Sequence, residues 1–176
     1  MNKKIVLELS ARYLVLILLG LFNLYLFYKV FTPLTVYPVF LILKVLFGAE
    51  LIASTKISSL GITISLVEAC IAGAAYYFLT ILNFTTHMSI KKRIKGLTFL
   101  YSSFLILNII RIVVFTYLYS IGFTYTDPLH NGVWYFGSTF LLVLVWFVNI
   151  RIFHIKSIPI YTDLRNLIQD IKRKNH

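Results

Sequence analysis

Charge is scarce in this chain. Only 13% of its 176 residues are Asp, Glu, Lys or Arg, and just six of these are acids. Ordinary soluble domains carry ~25% charge and ~45–50% apolar residues, whereas here 59% are apolar or aromatic. A mean hydropathy of +0.85 excludes the soluble globular class, and with it disordered and collagen-like chains. A single cysteine excludes an intrachain disulfide and any cysteine-cluster metal site. Proline and glycine are few, at four and eight. No internal repeat, low-complexity tract or second folded domain is visible. What the chain does contain is a series of uncharged stretches on the length scale of a bilayer crossing. It reads as an integral membrane protein.

Five apolar segments predict an all-α membrane protein with about five transmembrane helices. The first lies between Arg12 and Lys29, where snorkelling side chains extend a span of ~24 Å. No signal-peptide cleavage pattern follows it, so it reads as a retained anchor. Thr32-Pro33 and Tyr37-Pro38 then break the pattern, because proline lacks an N–H and disfavours helix just before it. The remaining helices fall at 34–49, 67–85, 97–119 and 132–150. Between the second and third, Ile62, Ile64 and Leu66 alternate with Thr63 and Ser65, the period of a strand. Ser58-Ser59 would turn an earlier strand (Leu51 to Ile57) back on it, giving a short β-hairpin outside the membrane before helix three.

The formal charge of +11 is membrane topology rather than a nucleic-acid footprint. Lys91, Lys92, Arg93 and Lys95 crowd loop 86–96, and Arg151, Lys156, Arg165, Lys172, Arg173 and Lys174 dominate the segment after residue 150. Segment 120–131 holds only Asp127. The positive-inside rule puts the two basic regions in the cytoplasm and 120–131 outside. Five crossings would then leave the N-terminus outside, against its own Lys3, Lys4 and Arg12. Residues 1–158 form the membrane domain. Residues 159–176, with Leu164, Leu167, Ile168 and Ile171 at helical spacing, read as an amphipathic basic tail on the inner leaflet.

Three residues call for chemistry. Arg111 stands in Leu105 to Val114, apolar on both sides except for Asn108 one turn earlier. An arginine at a helix centre costs ~2.5–3.5 kcal/mol on insertion scales, so its retention points to function. The alternative is a structural pairing with Glu50 or Glu68. His130, in Asp127-Pro128-Leu129-His130-Asn131-Gly132, begins helix five from outside, and its imidazole suits proton transfer near neutral pH. Cys70 begins helix three from outside, among Ala69, Ala72, Gly73, Ala74 and Ala75. A buried cysteine is usually just a small hydrophobe, but a helix N-terminus or a nearby cation favours the nucleophilic thiolate. All three residues land at the outer face. Nucleophile, proton carrier and fixed cation are the parts of a cysteine-dependent acyl-transfer site.

At these residues the chain resembles the archaeosortase/exosortase family of membrane transpeptidases. The likeness rests on the Cys in EACIAG (68–73), the Asn-x-x-Arg in LNIIRI (107–112) and the His in DPLHNGVWYF (127–136), in that order on three consecutive helices. It covers about residues 60–152. Many members have Cys-Ser-Gly or Cys-Thr-Gly, whereas Cys70 is followed by Ile71-Ala72-Gly73, which points to a divergent, archaeal-side subgroup. The resemblance implies Cys70 as nucleophile, Arg111 as oxyanion stabiliser and His130 as general acid and base, with Asn108 in support. It implies substrates that are surface proteins ending in a recognition motif, a transmembrane helix and a basic cluster. It also implies a lipid-linked acceptor and no metal or organic cofactor. Two other classes compete. One is a small transporter or proton relay using Arg111 and His130, and the other a non-enzymatic scaffold.

Overall fold

Pro33 and Pro38 sit inside one helix rather than between two. The computed structural model describes residues 3–21, 24–86, 88–122 and 137–155. Helix α1 covers Lys3–Leu21 and α2 covers Tyr25–Phe47, with both prolines in its interior. Each proline removes one ladder bond, yet an apolar setting offers the rest of the backbone no better partner than helix. The break lies earlier, where Leu24 takes a left-handed conformation (φ 59°). A one-turn helix α3 (Glu68–Ile71) and helix α4 (Gly73–Thr85) follow the sheet. Helices α5 (Ile90–Ser120) and α6 (Ser138–Phe153) complete the described chain. Among described residues, α2 and α5 are long and apolar enough to cross a bilayer, while 10–21 and α6 are shorter apolar helices.

Side-chain contacts fix the direction of each helix. The Arg12 guanidinium donates to the Phe84 carbonyl (3.5 Å) and the Tyr77 hydroxyl to the Leu16 carbonyl (2.9 Å), so α1 runs antiparallel to α4. Phe31 stacks on Tyr76 with ring centroids 3.5 Å apart and meets Tyr101 edge-on, and Phe47 stacks near the end of α5 on Tyr117. Helix α2 thus runs parallel to α5. Helices α4 and α5 are antiparallel, joined by the Thr80 and Tyr101 hydroxyls (2.5 Å) and by Asn83 donating to the Arg93 carbonyl (3.3 Å). The last helix returns along α5, from Ser138 beside Arg111 to the Phe153 carbonyl beside Lys92. Consequently α1 and α2 point the same way. The reversal that a separate first and second crossing demands is not there.

The segment before α3 is a three-stranded meander rather than a hairpin. Strands β1 (Glu50–Ala53), β2 (Lys56–Ser59) and β3 (Ile62–Ser65) are antiparallel in that order. Ser58 and Ser59, expected at the turn, lie within β2. The turn instead falls at Leu60-Gly61, both with positive φ (54° and 78°), the requirement of a tight two-residue hairpin whose twist matches its strands. Gly61 meets that requirement freely. Ile57 of the central strand is fully buried in the same core as Leu43 of α2, which seats the sheet on the far end of that helix.

Candidate functional site

Cys70 does not belong to one long helix over 67–85. Ala72 is left-handed (φ 59°), and this splits the segment into the single turn α3 and the helix α4. The left-handed region costs a residue with a Cβ roughly 1–2 kcal/mol, so the break must be held by its surroundings. Tyr28 of α2 is one such constraint, because a Cβ at Gly73 would lie 2.7 Å from its ring. Asn108 is another: buried in α5, it donates from Nδ2 to the Cys70 carbonyl (2.8 Å). The Cys70 N–H is already bonded to the Val67 carbonyl (2.8 Å), and α3 is one turn long. Activation of the thiol by a long helix's N-terminus, expected from the sequence, therefore has no basis. Among the described residues, Arg111 is the cation that shares a cavity with the thiol.

Arg111 and Cys70 line the same cavity. The hydrogen-bond partner of Arg111 is the Ser138 hydroxyl at the start of α6, not Glu50 or Glu68. The cavity is about 310 Å3 and is walled by β3 on one side and by the stretch of α5 from Arg111 to Tyr119 on the other. Its lining is largely apolar, with Thr63, Ser65, Thr116 and Tyr119 supplying hydroxyl groups in addition to the thiol and the cation. Apolar surroundings of this kind magnify the interaction of a fixed charge with any charge that develops nearby. The arrangement puts a thiol and a guanidinium on the wall of one cavity, where the cation is available to a developing anion.

Of the sequence-derived site residues, Cys70, Asn108 and Arg111 converge from α3 and α5. His130 lies outside the described residues, as do His87, Asp127 and residues 159–176. Ser138 carried no earlier signal beyond being a hydroxyl at the start of an apolar run, in Gly137-Ser138-Thr139. Thr63 and Ser65 stood out as the polar half of a strand pattern, not as walls of a site. Among described residues, no group of three or more His, Cys, Asp or Glu could hold a metal ion. Comparison with family models finds no match, and no curated protein or solved structure matches the chain.

Asn108→Ala tests how α5 positions the cysteine. It leaves the Cys70 carbonyl without its donor in an apolar setting, a loss of about 1–3 kcal/mol. A lowered unfolding temperature in detergent is expected, together with altered alkylation of Cys70 by a small thiol reagent. Unchanged values for both would mean that the contact positions nothing.

Proposed function

We propose that this protein is a multi-pass cell-membrane enzyme, a sortase-like cysteine transpeptidase. It cleaves the C-terminal sorting signal of surface proteins at the outer face and transfers them to a lipid-linked amine. The observation that carries this reading is that Cys70 and Arg111, from α3 and α5, line one cavity. The resemblance of Cys70, Asn108, Arg111 and His130 to the archaeosortase/exosortase pattern supplies the reaction.

In that reaction the Cys70 thiolate attacks the scissile carbonyl carbon, and the carbonyl oxygen takes up the negative charge beside Arg111. The C–N bond then breaks, and the leaving amine receives a proton from His130. A thioester links Cys70 to the surface protein. His130 next takes a proton from the acceptor amine, which attacks the thioester carbon, forms the new amide and releases the Cys70 thiolate. Asn108 and Ser138 are positioning residues, the first through the Cys70 backbone and the second through the guanidinium.

The topology we infer has four traverses, not five, with both ends inside. Helices α1 and α2 share one outward passage, α3 and α4 lead back, α5 leads out and α6 returns. What supports it is that α1 and α2 run in one direction, antiparallel to α4. The basic residues expected in a loop over 86–96, Lys91, Lys92, Arg93 and Lys95, lie in the first turns of α5. Lys3, Lys4 and Arg12 then join them and the C-terminal segment on the cytoplasmic side, and the conflict with the positive-inside rule disappears. Arg111 lies nine residues before the outer end of α5, ~14 Å along the helix.

Cys70 is the chain's sole cysteine, so labelling reports on it alone. A small, membrane-impermeant thiol reagent applied to intact cells is expected to modify Cys70, and more slowly in Arg111→Ala. Modification that needs permeabilised cells would overturn the sidedness and the assignment of the site.

A further inference from the structure

The cavity's strand wall has a property that the catalytic residues do not explain. Five consecutive residues, Ile62 to Leu66, line it. The face of a sheet would contribute only alternate residues, so the cavity runs along the edge of β3. β3 is one of the two edge strands of the sheet. The Leu66 N–H bonds to the Thr55 carbonyl (2.8 Å), and the register pairs Ile64 with Ile57 and Ile62 with Ser59. In an antiparallel ladder the residues that exchange hydrogen bonds alternate with those that do not. Ile62, Ile64 and Leu66 therefore direct their backbone groups at β2, while Thr63 and Ser65 turn theirs to the open edge. Among the described residues, no backbone group bonds to those of Thr63 and Ser65.

We propose that this edge is the substrate-binding element: an extended peptide segment adds to β3 as a fourth strand and so brings its carbonyl to Cys70. The proposal rests on the transpeptidase reading for the identity of the peptide, which is the segment just before the scissile bond. Dimensions agree with such an occupant. Ile62 to Leu66 spans ~13 Å of strand, and Arg111 to Tyr119 spans ~12 Å of helix, so the two walls match in length and accommodate three to four extended residues. Cys70 follows β3 by five residues and stands with Arg111, so the strand leads toward the reacting groups. The bound segment, with its upstream end at the outer mouth, runs parallel to β3. Main-chain bonds hold it irrespective of side chain, and the apolar wall of Ile112 and Phe115 reads the side chains that face it.

The test uses the full chain in lipid nanodiscs and two electrophiles, acetyl-Ala-Ala-Ala-Gly chloromethyl ketone and chloroacetone. Both alkylate a reactive thiol, but only the first can pair with a strand. The peptide is expected to alkylate Cys70 about tenfold or more faster than chloroacetone. N-methylating its residues one at a time should abolish that advantage with a period of two, since only alternate N–H groups face β3. Thr63→Pro and Ser65→Pro remove outward N–H groups, at positions where an edge strand tolerates proline, and should bring the peptide's rate down to that of chloroacetone measured on the same variant. No peptide advantage, or one that survives every N-methylation and both prolines, would overturn strand addition while leaving the transpeptidase reading intact. If neither ketone modifies Cys70, the nucleophile itself is wrong and both ideas fall together. If a proline variant loses reactivity toward chloroacetone as well, the N-methyl series on the wild-type chain decides.

Discussion

With Cys70 replaced by serine, processing of a surface protein bearing a C-terminal sorting signal is expected to fall by a factor on the order of 10^4 or more. The substitution is close in size, so packing between α3 and α5 is largely kept and Asn108 still holds the backbone carbonyl. What changes is the nucleophile. A hydroxyl surrenders its proton far less readily than a thiol, and a single guanidinium cannot make up the difference. His130→Ala should be comparably inactive, because the leaving amine then departs without its proton. The two losses should not add in the double variant if, as proposed, both residues serve one transition state. The measurement is the gel shift of the substrate in cells that express each variant at matched levels. Normal processing by Cys70→Ser would end the transpeptidase proposal and favour the transporter or scaffold reading.

Arg111→Ala is the second large effect, expected at about 10^2–10^3-fold in processing rate, the scale set by removal of one oxyanion donor. Membrane insertion should be unimpaired, because taking a charge out of an apolar helix lowers the cost of insertion. Arg111→Lys separates charge from shape. It keeps the cation but loses the planar fork that can hold the Ser138 hydroxyl with one nitrogen while offering another to the cavity. An intermediate loss is expected. Ser138→Ala should resemble a mild version of it, since the guanidinium keeps its charge and loses only its orientation. Equal, wild-type-like rates for Arg111→Ala and Arg111→Lys would remove Arg111 from the chemistry and leave it a structural role.

Gly73 illustrates how closely the site depends on packing that no motif announces. In the sequence it is one small residue among alanines. In the fold its missing Cβ makes room for the Tyr28 ring, and the turn that carries Cys70 ends two residues before it. Ser138 is similar: a hydroxyl at a helix start becomes the partner of the one arginine that a purely local reading would pair with a glutamate.

The apolar segments, the strand character of 62–66, and Cys70, Asn108 and Arg111 as residues whose placement needs explaining are all legible in the sequence. These are local properties: hydropathy depends on a window of neighbours, and the cost of an arginine depends on the apolar residues beside it. Tertiary structure alone decided the rest. Pro33 and Pro38 stay within a helix because its length in apolar contact outweighs two lost bonds, while Leu24 and Ala72 break the chain where no proline stands. The shared direction of α1 and α2 is decided by Arg12 against Phe84 and Phe47 against Tyr117, pairs distant in the chain. The open edge of β3 follows from which residues face β2, a matter of register, and register exists only once two strands have met.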